Sequence, residues 1–126
     1  MTSETLLLRP EETATRALPA NVEAEAAFLG AVLIDNRVIE ELPTQLAPSH
    51  FFEPVHARIY DRILQLLDRK AVVTPVTLKP YFESDESLKE LGGPAYLARL
   101  TADGQGLLAP RVLAEQIYDA FHPDNR

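Results

Sequence analysis

Ten prolines are the feature that most constrains how this 126-residue chain can fold. Proline is tolerated in the first turn of a helix or in a loop, and it breaks a helix from inside. The prolines therefore predict short helices joined by tight connections, with Pro54, Pro75, Pro94 and Pro110 each opening a helix. The only β-branched run, residues 71–74, is too short for a sheet. We predict an all-α fold, a small bundle of about six short helices.

The first predicted helix is capped by Asn21 and carries an apolar stripe. Glu23 and Glu25 fall in its first turn, where the helix dipole favours negative charge. Gly30 lowers helix propensity, but it lets a neighbouring helix approach closely. The apolar positions recur at helical spacing: Val22, Ala26, Leu29 and Leu33.

Periodicity also divides the chain into three parts. Residues 1–18 mix Thr, Ser, Glu and Arg with little apolar periodicity, which predicts a mobile N-terminal tail. Residues 19–122 carry the helical pattern and form the predicted domain. Residues 123–126 are its C-terminal end, and Pro123 stops the last helix.

The charge and composition exclude several classes of protein. Asp and Glu number 19 against 12 Lys and Arg, a net charge of −7, so the chain is a poor binder of nucleic-acid phosphates. It has no Cys, which rules out disulfides and thiolate metal sites. The N-terminal run Leu6-Leu7-Leu8 is far shorter than a membrane span, and no secretory signal is recognisable. We therefore expect a cytoplasmic protein that does not bind membranes.

Catalytic and cofactor motifs are missing from the sequence. None of its five glycines precedes the Lys-Ser or Lys-Thr pair of a phosphate-binding loop, so no nucleotide cofactor is expected in this chain. His50, Glu53 and His56 lie three residues apart, but Pro54 interrupts the helix that would gather them around a metal ion. We therefore predict no metal, cofactor or catalytic residues.

Four segments of the chain, in their order and spacing, resemble the N-terminal domain of bacterial replicative DNA helicases of the DnaB type. Together they cover most of residues 18–121. The segments are Leu18-Pro19 followed by NVEAEAAFLGAVLID (21–35), HFFEPVHARIYDRILQLLDR (50–69), TPVTLKPYFE (74–83) and LGGPAYLARL (91–100).

The resemblance implies a fold and a set of partners. In the family this helical domain forms the collar of a hexameric ring, pairs through a C-terminal helical hairpin and takes part in binding primase. The hairpin would correspond to residues 94–103 and 110–121. ATP, Mg²⁺ and DNA would be bound only by a motor domain that is absent from this chain. The implied interface residues are Tyr96, Leu100, Leu113, Ile117, Tyr118 and Phe121. Burial of the last four inside the domain is an equally open alternative.

Two other functions stay open at the level of sequence. The chain could be a stand-alone regulator that mimics the collar and binds helicase or primase without a motor. It could also be a small hydrolase that uses His50 or His56, with Ser49 and Asp61 completing a triad. No glycine-flanked nucleophile turn surrounds Ser49, so the hydrolase is the weakest of the three hypotheses.

Overall fold

In a computed structural model, the described residues are 10–42, 45–106 and 108–121, and side chains are described from residue 22 onward. These residues form six α-helices, two 3-10 helices and no strand, which confirms the predicted all-α bundle. The α-helices are α1 (Pro10–Ile34), α2 (Pro54–Asp68), α3 (Pro75–Phe82), α4 (Glu86–Glu90), α5 (Pro94–Asp103) and α6 (Pro110–Phe121). The 3-10 helices are Asn36–Glu41 and Pro48–His50.

The predicted proline starts of α2, α3, α5 and α6 are confirmed, and side-chain caps support the starts of three helices. Glu53 accepts a hydrogen bond from the Val55 amide at the start of α2. Thr74 accepts one from the Thr77 amide at the start of α3. Asp85 caps α4 in the same way. Each cap satisfies an amide that lacks a partner within its helix.

The start of the first helix differs from the prediction. Helix α1 begins at Pro10, so Asn21 and Pro19 lie inside it, and Asn21 is not its N-cap. Pro10 suits the first position of a helix, and the Glu, Ala, Arg and Leu residues that follow favour helix without an apolar stripe. The prediction relied on the stripe alone. Residues 1–9 of the predicted tail lie outside the described residues, and the mobility of the tail stays a prediction.

Helix α1 organises the bundle. Helices α5 and α6 make their main contacts with α1 rather than with each other, so the two predicted hairpin helices are held together through α1. Gly30 of α1 faces the backbone of Leu100 in α5 and confirms the predicted close approach. Phe28 of α1 packs against Phe51 and Tyr60 in the centre of the core. No helix in the described part of the chain is long and apolar enough to cross a membrane.

Candidate protein-interaction site

The six predicted interface residues fall into two groups. Leu100, Leu113 and Ile117 are buried in the core, so they hold α5 and α6 against the rest of the domain and are not on its surface. Tyr96 and Tyr118 are half-buried. Phe121 at the end of α6 is 48% exposed. Only the second group can contact another molecule in this conformation.

An aromatic cluster, which we define as His50, Tyr118 and Phe121, joins the end of α6 to the 3-10 helix Pro48–His50. The His50 ring centroid lies 5.1 Å from that of Tyr118 and 4.8 Å from that of Phe121. The Ala47 amide donates a hydrogen bond to His50 Nδ1 over 3.0 Å, which fixes the imidazole. The cluster thus holds Phe121 from one side and leaves about half of it open to solvent.

A buried carboxylate links the first helix to the loop before α2. Glu25 Oε2 accepts a hydrogen bond from the Phe52 amide at 2.5 Å. Glu25 Oε1 accepts one from the Glu53 amide at 3.2 Å and lies 2.9 Å from His56 Nδ1. Glu25 and His56 are both fully buried. Because three donors surround the carboxylate, its burial is compensated by hydrogen bonds.

The same network reaches α5 through an imidazole. His56 Nε2 lies 2.6 Å from the Tyr96 hydroxyl, and the two rings are stacked. Burial, with smaller contributions from Asp103 and Glu53, raises the pKa of Tyr96 above its usual value. Both nitrogens of His56 are therefore engaged within the domain, and this geometry describes a structural tie between α1, α2 and α5.

The residues of the hydrolase hypothesis are engaged separately. Asp61 accepts a hydrogen bond from Gln65 on the exposed face of α2, whereas His56 is paired with Glu25 and Tyr96. Glu53, which the sequence spaces evenly between His50 and His56, caps α2. No group of three potential metal ligands is found among the residues that the structure describes.

The exposed side of α2 is tied to α3 and α4 by two basic residues. Arg58 forms an ion pair with Asp85 at 3.0 Å, and its hydrogen bond is the main reason that the pKa of Asp85 is lowered. The Arg62 guanidinium lies 4.4 Å from the centroid of the Tyr81 ring, a cation–π distance. These contacts hold the exposed, mixed-charge face of α2 against its neighbouring helices.

An open pocket lies between α1, α6 and the loop that joins α5 to α6. Its volume is about 320 Å³. Ala24 and Ala27 of α1 and Leu113 of α6 form an apolar floor, and Glu23 and Asp103 stand at the rim. Leu108, Gln116 and two glycines complete the lining. We call it the α1–α6 pocket.

Sequence reasoning missed both Glu25 and this pocket. It assigned Glu25 to the first turn of a helix, which is wrong because α1 begins at Pro10 and Glu25 lies inside it, where it is buried. The available signal was spacing: Glu25 lies three residues after Val22 and four before Leu29, on the apolar face of α1. The pocket had no comparable signal, because it depends on how far apart α1 and α6 pack.

Comparison with known proteins gives consistent results. Residues 17–119 match the family described as DnaB-like helicase N terminal domain. The replicative DNA helicase DnaB of Rickettsia prowazekii (strain Madrid E) is 36% identical over 104 residues, which are 82% of this chain and 21% of that protein. The DnaB of Treponema pallidum (strain Nichols) is 39% identical over 83 residues, 66% of this chain and 19% of that protein. The DnaB of Geobacillus stearothermophilus is 35% identical over 85 residues, which are 68% of this chain and 19% of that protein. The chain thus spans about a fifth of the length of these relatives.

Proposed function

This chain belongs to the family of DnaB-like helicase N-terminal domains, and on that basis we propose that it is a non-catalytic interaction domain in DNA replication. Its proposed partners are other copies of itself, in a collar, and primase. The family match over residues 17–119 is the observation that carries the proposal. We propose no cofactor for this chain, because its sequence carries no recognisable phosphate-binding loop of the P-loop type.

We place the proposed self-contact at the aromatic cluster. Phe121 presents about half of its surface to solvent while His50 holds its other side. An aromatic side chain that is already fixed loses little conformational freedom when a partner covers it. Rigid aromatic rings are also enriched among the residues that dominate binding energy in protein interfaces. The cluster is therefore the part of the predicted hairpin surface that is best suited to pairing.

Light scattering across a concentration series tests this placement. We expect a reversible dimer that Phe121→Asp weakens strongly, because a carboxylate would be buried without a partner. Val76→Asp is the matched control, since Val76 is 78% exposed and lies on α3. Circular dichroism and thermal unfolding confirm that both variants fold.

A titration with purified primase tests the second proposed partner. We expect saturable binding by the wild-type chain and by Val76→Asp. If neither self-association nor primase binding is found with folded protein, the proposed interaction role is wrong. If the wild-type dimer forms and Phe121→Asp leaves its dissociation constant unchanged, only the placement at the aromatic cluster is wrong.

A further inference from the structure

The α1–α6 pocket has the composition of a binding site for an apolar segment. Its floor of alanine and leucine side chains is bounded by the carboxylates of Glu23 and Asp103. An occupant that matches the floor and the rim carries aliphatic side chains next to a cation.

The chain contains such a segment outside its described residues. Leu6, Leu7 and Leu8 are consecutive, and Arg9 follows them directly. The leucines match the apolar floor, and the guanidinium of Arg9 matches the carboxylates at the rim. Neither the family match, which begins at residue 17, nor the proposed function uses this segment.

Chain length prevents the segment from entering the pocket of its own molecule. Helix α1 begins at Pro10, and at 1.5 Å per residue Glu23 lies about 20 Å and Ala27 about 26 Å farther along its axis. Leu6 is four residues before Pro10, so it lies at most about 14 Å from it even if fully extended. The pocket is therefore beyond the reach of the leucines of the same chain, whereas a second copy has no such limit.

We propose that Leu6–Arg9 of one copy binds in the α1–α6 pocket of a second copy, with Arg9 facing Glu23 and Asp103 of that second copy. The leucines cover the apolar floor, and the ion pairs fix the direction of the segment. Gln116 at the pocket lies two residues before Tyr118 on α6, about 200° around the helix. This contact is therefore separate from the aromatic cluster and does not depend on it.

Cysteine pairing tests the proposal directly, because the natural chain has no Cys. Leu8→Cys and Gln116→Cys are made in separate chains of residues 1–126, mixed and oxidised mildly. We expect a disulfide-linked heterodimer, seen on a non-reducing gel and confirmed by mass spectrometry. The matched control replaces Gln116→Cys with Glu115→Cys, which is exposed and does not line the pocket. The proposal is wrong if both mixtures cross-link equally or neither does.

A chain that carries both Leu8→Cys and Gln116→Cys distinguishes binding of the segment to a second copy from binding to the pocket of its own chain. We expect covalent dimers at high protein concentration. A monomer with an internal disulfide, formed at a rate independent of concentration, would overturn the proposal, because the segment would then reach its own pocket.

A charge exchange gives an independent test without new cysteines. Arg9→Glu and Asp103→Arg should each weaken dimerisation about tenfold, because each places like charges together. The double variant should restore it, and Leu7→Asp should weaken it further, leaving only association through the aromatic cluster, whereas Thr5→Asp, just before the segment, should have no effect. Failure of the double variant to recover, with folding intact, contradicts the pairing of Arg9 with Asp103. These variants leave the aromatic cluster untouched, so failure here is distinguishable from failure of the proposed function.

Discussion

Helix α1 makes two contacts of opposite character. Against α5 the backbones meet: a Cβ added at Gly30 would lie 1.7 Å from the carbonyl oxygen of Leu100. Against α6 the packing is open and leaves a pocket of about 320 Å³. The closed contact leaves no room for another molecule and stabilises the fold, whereas the open contact can accept one at small cost to the fold. The backbone of α1 is therefore in direct contact with α5, whereas space remains between α1 and α6.

The largest effect is expected at the closed contact. Gly30→Ala should destabilise the fold by about 3 kcal/mol or more, because its methyl group overlaps backbone atoms that cannot rotate away. Urea unfolding followed by circular dichroism measures the change. Gly106→Ala is the matched control at the pocket, since its Cβ would lie an ordinary 3.5 Å from the Asp103 carbonyl oxygen. That variant should change stability by less than about 0.5 kcal/mol, and equal losses at the two glycines would remove the distinction between the contacts.

The buried carboxylate should give the next largest effect. Glu25→Gln replaces an oxygen that accepts hydrogen bonds with an NH₂ group facing donors, and we expect a loss of about 2–4 kcal/mol. Glu23→Gln, two residues earlier and exposed at the pocket rim, should change the free energy of unfolding by less than about 0.5 kcal/mol. A small change in stability at Glu25 would mean that its hydrogen-bond network does not hold α1, α2 and α5 together.

Alkaline pH should weaken the core between α1 and α2 through Tyr60. Burial raises the pKa of Tyr60 to about 12, and its side chain is 1% exposed where α2 packs on α1. An unfolded tyrosine ionises near pH 10. The stabilisation is therefore complete below pH 10 and is lost as the pH rises to 12, by about 2–3 kcal/mol. Urea unfolding across this range should show a steeper fall for the wild-type chain than for Tyr60→Phe. If stability fell equally with pH in the wild-type chain and in Tyr60→Phe, ionisation of Tyr60 would not be the cause.

The smallest effect on stability is expected at the open contact. Ala27→Leu places an aliphatic side chain in the pocket and should change the free energy of unfolding by less than about 1 kcal/mol. The same change should abolish binding of the Leu6–Arg9 segment, because its site is filled. Ala98→Leu, on the exposed side of α5, is the control and should leave association unchanged. Strong destabilisation by Ala27→Leu would show that the pocket is not open space.

Much of the fold could be predicted because its signals are local. A proline fixes its own backbone dihedral and cannot donate a hydrogen bond, so Pro54, Pro75, Pro94 and Pro110 mark helix starts without knowledge of the packing. The start of α1 was missed because an extension without an apolar stripe looks like a tail.

The site was less predictable because it depends on distances between helices. Burial of Leu113 and Ile117 follows from how α6 lies on α1, and the sequence left burial and exposure equally open. The Glu25 network joins residues that are 27 to 31 positions apart. A pattern with a period of 3.6 residues shows which face is apolar, but not which polar group on that face finds partners.

The most direct test of an association role is sedimentation equilibrium of the wild-type chain, Leu7→Asp, Phe121→Asp and the double variant over a wide concentration range. We expect the wild-type mass to rise above the 14.0 kDa of one chain. Each single variant should shift that rise to higher concentration, and the double variant should stay monomeric. A wild-type chain that stays at 14.0 kDa at every concentration would contradict self-association through either flank of α6.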